Sequence, residues 1–472
     1  MRNAYAGRQE GYSVTSHRSD DRLPNLHGWR DTRPRHSPGY RVRHTARTVV
    51  ASVLVAVLVL FATVASATAL DLMHATTIVP VFGPRNGKAA EPIDPNAGKP
   101  ISFLLLGQDT RDGSGNEALS GGTAADAGSH NADTTMVVQI SADRSFINLV
   151  SIPRDSLVDV PSCQTPKGTI PAQYGVMFNS IFSTAWDQGD GLSSAANCTL
   201  NAVNALTGLD LQQFVVVDFQ GLKDMIDAVG GVNVCVPVDT QDTYTELDLK
   251  KGLQHLDGMH ATMYARMRHG TGTDGTDVMR TTRQQYLVKQ LMSEALGKNL
   301  FTQTGQLYQL SKAALHSLSI SEGLASIPTL TGLAVSLKNM NPTHFYAQTI
   351  PVIEAPSDPN RRVWAPGADA VWAKLRTNKP LTDATPTASS TASPTPQADQ
   401  PSAPTGASQS PAPTPDPKTG LITQADGTLI DPNTGGTVNP ADGSITDPNT
   451  GEYIGIADRY LNSTVCAVPA QK

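Results

Sequence analysis

Residues 48–70, TVVASVLVAVLVLFATVASATAL, contain no charged side chain, and this run constrains the fold of the chain more than any other stretch. As a helix rising 1.5 Å per residue it is about 35 Å long, enough to cross the hydrocarbon layer of a bilayer. Arg41, Arg43 and Arg47 stand just before it and Asp71 just after it. Cations on the leading side orient such a span with its N-terminus in the cytoplasm. Everything beyond residue 70 is therefore expected outside the cell. The alternative is a cleaved signal peptide, because Ala65-Ser66-Ala67 resembles a cleavage site. The length of the apolar run and of the segment before it favour a retained transmembrane helix.

The span divides the chain. Residues 1–47 hold ten arginines against four acids and few large apolar side chains, the composition of a disordered, basic cytoplasmic tail. Residues 71–98 read as an extracellular stem, 99–380 as a globular domain, 381–415 as a Pro/Ser/Thr-rich linker, and 416–472 as a repeat tail. In the tail, ADGTLIDPNTG returns sixteen residues later as ADGSITDPNTG. Asp-Pro-x-x-Gly is a turn signal, and the Thr, Ile and Val between turns suit very short strands. The Asp and Asn spacing matches no known calcium loop. A net charge of −6 and a pI near 6.0 point away from nucleic acid.

All four cysteines lie beyond the span. An even number in an exported region reads as disulfides. Three pairings are open. Cys163 with Cys198 is the most economical, which leaves Cys235 with Cys466.

Within 99–380, ISFLLLG (101–107), TTMVVQIS (134–141), SFINLVSI (145–152), QQFVVVDF (212–219), VNVCVPV (232–238) and THFYAQTIPV (343–352) read as strands. Helices are expected at 193–207, 221–230, 258–268 and 282–297, with 305–340 mostly helical. Strands alternating with helices argue for an α/β domain around one central mixed sheet flanked by helices in three layers.

Acids and arginines gather at the ends of these strands. Asp109 and Arg111 follow the first strand, Asp133 precedes the second, and Arg154 and Asp155 follow the third. Loops at the carboxyl ends of strands are where α/β sheets hold ligands. Further on, YARMRHGTGTDGTDVMRTTRQQ (264–285) sets Arg266, Arg268, Arg280 and Arg283 around Asp274 and Asp277. Guanidinium forks fit phosphate oxygens and keep their charge at any pH. Two carboxylates at different strand ends suit Mg²⁺, which prefers oxygen ligands and phosphate. No GxSxG, HExxH or Walker A motif competes, and neither Ser151 nor Cys198 has a neighbouring base. Metal and arginines without a covalent nucleophile suit direct phosphoryl transfer.

FLLLGQDTR, NADTTMVVQIS, SIPRDSLV, FNSIF, GGVNVCVPVD, LQHLDGMHATMYARMR and DVMRTTRQQ occur in the order found in the LytR–CpsA–Psr family. The chain resembles that family, in its actinobacterial form, over residues 101–297. The resemblance implies a membrane-anchored extracellular transferase. It would move a glycopolymer from a polyprenyl-pyrophosphate carrier to peptidoglycan, usually to the C6 hydroxyl of N-acetylmuramic acid, forming a phosphodiester. It further implies Asp109 and Asp133 as Mg²⁺ ligands. Arg154, Arg266, Arg268 and Arg280 would bind the pyrophosphate and act in catalysis with Asp155. Arg111, Arg283 and Gln284 would add pyrophosphate contacts. The family's prenyl chain lies between sheet and helices. Two positions depart from the pattern: Asn131 stands where many relatives have arginine, and Leu253 where actinobacterial relatives often have cysteine. A non-catalytic wall-anchoring or lipid-carrier-binding protein, and a pyrophosphatase acting on polyprenyl-linked glycan, are the competing readings.

Overall fold

A computed structural model describes residues 77–81, 93–110, 130–273, 277–297, 318–325, 327–337, 344–381, 414–449 and 453–467, with a few single positions between them. The basic tail, the apolar run 48–70, Arg111, Asp274 and residues 382–413 of the linker lie outside the described residues. Among the described residues no helix is long and apolar enough to cross a membrane.

The centre is a seven-stranded mixed sheet. Its strands are β1 (Thr77–Val79), β2 (Ile101–Asp109), β3 (Asn131–Ile140), β4 (Ile147–Ile152), β5 (Phe214–Val217), β6 (Leu318–Ser321) and β7 (Phe345–Thr349). They lie in the order β1-β6-β5-β2-β3-β4-β7. The pairs β1–β6, β5–β2 and β4–β7 are parallel, and the other neighbours are antiparallel. Two strands differ from the sequence reading. Thr77–Val79, in the stretch read as a stem, forms an edge strand, and Leu318–Ser321, in a stretch read as helical, joins it to β5. Both are only three or four residues long and owe their conformation to distant partners, a context that local pattern does not carry.

Side chains alternate across the sheet, and each face is covered. Leu104, Leu106, Val137, Val150 and Phe214 pack with helices α1 (Phe178–Gln188) and α2 (Leu192–Thr207). Ile101, Met136, Val138, Ile147 and Leu149 share the other core with Val288, Met292 and Leu333. Helices α3 (Phe219–Val229) and α4 (Gly258–Arg266) start at Asp218 and Asp257, whose carboxylates accept from the amides of Gly221 and His260. The long helix α5 (Asp277–Gly297) supplies Val288 and Met292, and α6 (Ile327–Leu337) supplies Leu333. Helix α7 (Ala368–Arg376) adds Trp372 to the first core.

The repeat tail is a five-stranded antiparallel meander over Ile422–Thr423, Leu429–Ile430, Thr437–Val438, Ser444–Thr446 and Tyr453–Ile456. Four of its turns close by amide bonds from Gly420, Gly435, Gly443 and Gly451 to the carbonyls of Asp416, Asp431, Asn439 and Asp447. Each of these glycines has φ between +70° and +77°, a conformation costly for any residue with a Cβ. The Asp and Asn side chains accept amides two or three residues on, as Asp416 does from Lys418 and Asn439 from Ala441. They are turn formers here, and among the described residues no group of three or more His, Cys, Asp or Glu is placed to hold a metal.

Cys163 is bonded to Cys198, and Cys235 to Cys466. Cys235 pairs across its hairpin with Leu253, so the position where relatives often carry cysteine lies directly opposite it.

Candidate functional site

Sheet direction brings the sequence clusters together. β2 and β5 are parallel, β3 is antiparallel to β2, and β4 is antiparallel to β3. The C-terminal ends of β2, β4 and β5 therefore meet the N-terminal end of β3 at one edge. Asp109 ends β2, and Asn131 pairs with it. The register slips between Gly107 and Gln108: Gly107 pairs with Thr134 and Gln108 with Ala132. Asp133 is the extra residue of this bulge, and bulges re-aim side chains. It lies inside β3 rather than before it, because pairing with β2 extends the strand to Asn131. Gly107 permits the close approach. A Cβ built there would lie 2.8 Å from Cβ of Thr134.

Asp133 is the hub. Its Oδ2 accepts from Arg154 Nη1 at 2.7 Å and from Arg280 Nη1 at 3.1 Å. Arg280 Nη2 also donates to the Asp133 backbone carbonyl and to Asp277 Oδ1. Arg154 Nε stands 3.4 Å from the same Asp277 oxygen and 3.8 Å from Asp155 Oδ1. Asp277 and Arg280 are each only 7% exposed. Burial alone would raise the Asp133 pKa, but the charges and hydrogen bonds of Arg280 and Arg154 hold it below the usual carboxylate range. Burial would likewise lower the pKa of Arg280, and Asp277 and Asp133 raise it instead. Both groups are fully ionised at neutral pH.

The remaining sequence-expected residues flank this hub. Gln284 Oε1 accepts from Thr134 Oγ1 at 2.6 Å, and its Nε2 donates to the Ala265 carbonyl. Arg283 Nη2 donates to the Met267 carbonyl. α5 thereby holds the end of α4 at Arg266 and the segment just after it that carries Arg268. Arg266 donates to the Leu119 carbonyl and lies 4.7 Å over the Phe219 ring. Arg268 Nε donates to the Gly275 carbonyl at 3.2 Å. The structure thus joins Asp133, Arg154, Arg280 and Asp155 directly, places Asp109 beside them, and ties Arg266, Arg268, Arg283 and Gln284 to the adjoining backbone.

Two residues of the cluster carry no sequence-stated role. Asp277 stood among the sequence acids near Arg280, but the helix was expected only from residue 282; α5 begins at Asp277 itself, which places Asp277 and Arg280 on one face. Arg361, from the hairpin formed by Val352–Ala355 and Asp358–Trp364, stands 3.8 Å from Asp155 Oδ1. Nothing local marked it, because only the fold brings that hairpin to the end of β4.

Nucleophile chemistry is poorly served here. Ser151 is fully buried and its Oγ accepts from Gln285 Nε2 at 2.6 Å, while Cys198 is consumed in a disulfide. In the joined cluster Arg154, Arg280 and Arg361 face Asp133, Asp155 and Asp277. The buried Nε atoms of Arg154 and Arg280 make no hydrogen bond. A phosphate oxygen is the kind of acceptor such groups fit. A separate cleft of about 710 Å³ lies between β7 and the repeat module. It is bounded by Thr282, Gln285, Tyr286 and Lys289 and contains none of the acid–arginine hub.

The chain is thus an α/β domain with a cluster of acids and arginines at one edge of its central sheet. Residues 82–376 match the profile of the LytR_cpsA_psr family, and the chain belongs to that family. The cell wall biosynthesis protein LcpA of Corynebacterium glutamicum is 30% identical over 264 residues, which is 53% of this chain and 49% of that protein. The polyisoprenyl-teichoic acid–peptidoglycan teichoic acid transferase TagV of Bacillus subtilis is 26% identical over 233 residues, 48% of this chain and 52% of that one. The chain thus spans about half the length of these curated relatives. The crystal structure of B. subtilis TagV aligns with a TM-score of 0.44 at 22% identity, covering 60% of this chain and 97% of that one.

Proposed function

We propose that this protein is a membrane-anchored, extracellular phosphotransferase that moves a glycopolymer from a polyprenyl-pyrophosphate carrier to peptidoglycan. The observation that carries the reading is the part-buried hub in which Arg154 and Arg280 meet on Asp133, the arginine Nε atoms making no hydrogen bond. The family membership and the names of its relatives support the same chemistry.

In this reading Arg154, Arg280, Arg266 and Arg268 hold the pyrophosphate oxygens, with Arg283, Gln284 and Arg111 in support. A sugar hydroxyl of peptidoglycan attacks the phosphorus that bears the glycan. The bridging P–O bond breaks, polyprenyl phosphate leaves, and the hydroxyl proton is lost as the phosphodiester forms. Asp155, beside Arg154, is placed to orient that arginine. Catalysis is then positioning and charge stabilisation.

Mg²⁺ fits the residues present. Asp133 is ionised, and both guanidinium bonds to its carboxylate go to Oδ2, so Oδ1 carries neither. Asp109 lies on the neighbouring strand at the same edge. Mg²⁺ typically takes one or two carboxylates, with phosphate and water completing its shell. Asp109 and Asp133 would hold it, and it would neutralise charge on the pyrophosphate. The apolar run 48–70 would anchor the protein with this domain outside the cell.

The test uses the full chain in detergent with a polyprenyl-pyrophosphate-linked glycan and isolated peptidoglycan. Coupled glycan and released polyprenyl phosphate are expected together, and both should vanish in Arg280→Ala. Free phosphorylated glycan without coupling would make the protein a pyrophosphatase. Binding without turnover would make it a carrier-binding protein.

A further inference from the structure

Helix α5 has two faces with different duties. Asp277, Arg280 and Gln284 lie on the face that meets the sheet edge, while Thr282, Tyr286 and Lys289 bound the cleft beside the repeat module. Arg280 and Thr282, like Gln284 and Tyr286, are two residues apart, which places them roughly 200° apart around a helix of 3.6 residues per turn. What grips the second face therefore sets the direction of the first.

The grip comes from the C-terminal module. Lys289 Nζ bonds to Asp458 Oδ2. Tyr286 Oη donates to Asn462 Oδ1 at 2.8 Å and accepts from the Cys235 amide at 3.0 Å. Leu461 is fully buried, in one core with Tyr264, Ala265, Met267, Tyr286 and Leu287. Those residues flank Arg266 and Arg268 on one segment and follow Arg283 and Gln284 on the other. Cys466 closes the arrangement by its bond to Cys235. Every one of these contacts reaches the catalytic domain where it backs the arginine-bearing segments.

We propose that the C-terminal module is a clamp that positions the arginine stripe of α5 and the end of α4, with Asp458, Leu461, Asn462 and Cys466 as its positioning residues. The module is thus a working part of the anion site, although none of its residues reaches the hub. This inference rests on the phosphate-binding reading of that stripe.

The test compares the full chain with Asp458→Lys, Lys289→Asp, the double swap, and Cys466→Ser. Two quantities are measured: amide exchange along residues 277–287, and affinity for inorganic pyrophosphate with Mg²⁺. Each single variant should speed exchange in that segment and weaken pyrophosphate binding by about tenfold, the scale at which small misplacements of binding groups are felt. The double swap should restore both. Singles with wild-type exchange along α5 would overturn the clamp, as would singles whose double swap is no better. Arg280→Ala is the control for the site itself. If it binds pyrophosphate as tightly as wild type, the phosphate reading fails, while the exchange measurement still decides the clamp.

Discussion

At the scale of single residues, one carboxylate holds two cations in place. Asp133 has a depressed pKa in the folded protein, so its contribution to stability is complete above the unfolded value of about 3.9 and is lost as pH falls through the folded value. Asp133→Asn should therefore be less stable than wild type at pH 7, by on the order of 3 kcal/mol. The gap should close on acidification. Urea midpoints measured from pH 7 to about pH 3 give the comparison, and a pH-independent gap would show that the carboxylate charge is not what matters. Arg268→Lys keeps the charge but loses the planar fork. A fall in kcat/KM of about tenfold is expected, and an unchanged value would leave Arg268 outside the binding set. Gly107→Ala should force its new methyl against Thr134, 2.8 Å away, and disturb the bulge that aims Asp133. A loss of about 1–3 kcal/mol is the usual cost of such overpacking. A wild-type urea midpoint would mean that the strands separate without strain.

At the scale of elements, α5 links the hub, the α4 end and the tail. Burial raises the Tyr286 pKa far above its ordinary value, so the phenol stays protonated and available as a donor. Tyr286→Phe removes that donor and leaves the buried Cys235 amide without its acceptor. A cost of about 1–3 kcal/mol in chemical denaturation is expected, and a neutral result would place a water at the vacated position. The elements differ in how plainly the sequence announced them. Strands β2, β3 and β4 each carry a short apolar stretch with buried side chains on both faces, which helices cover, and those stretches located them. α1 went unassigned although FNSIF at its start was legible as a motif. β1 and β6 were hidden because three or four residues carry too little pattern. The acids and arginines were legible because strand ends and helix spacing are local properties. The contact of Asp155 with Arg361 was not, since 206 residues of chain separate them.

At the scale of the whole molecule, the proposed anchor and the folded-back tail make opposite demands on a protease. Protease added to intact cells should remove the domain beyond about residue 75 and spare the arginine-rich tail, as expected for a span of about 35 Å crossing the bilayer once. A mature N-terminus near Leu70 would instead mean a cleaved signal. The bond from Cys235 to Cys466 joins residues 231 apart in sequence. In the chain-entropy account a closure of that length adds about 5 kcal/mol. The meander that leads to it has a consequence for how such a tail can change length. Each turn reverses the chain, so an odd number of strands delivers the last one to α5 in its present direction. Gain or loss of one eight-residue unit would turn the final segment around and carry Leu461 and Cys466 away from their partners. Gain or loss of a sixteen-residue pair would preserve direction. Parity, more than length, is what the repeat has to conserve.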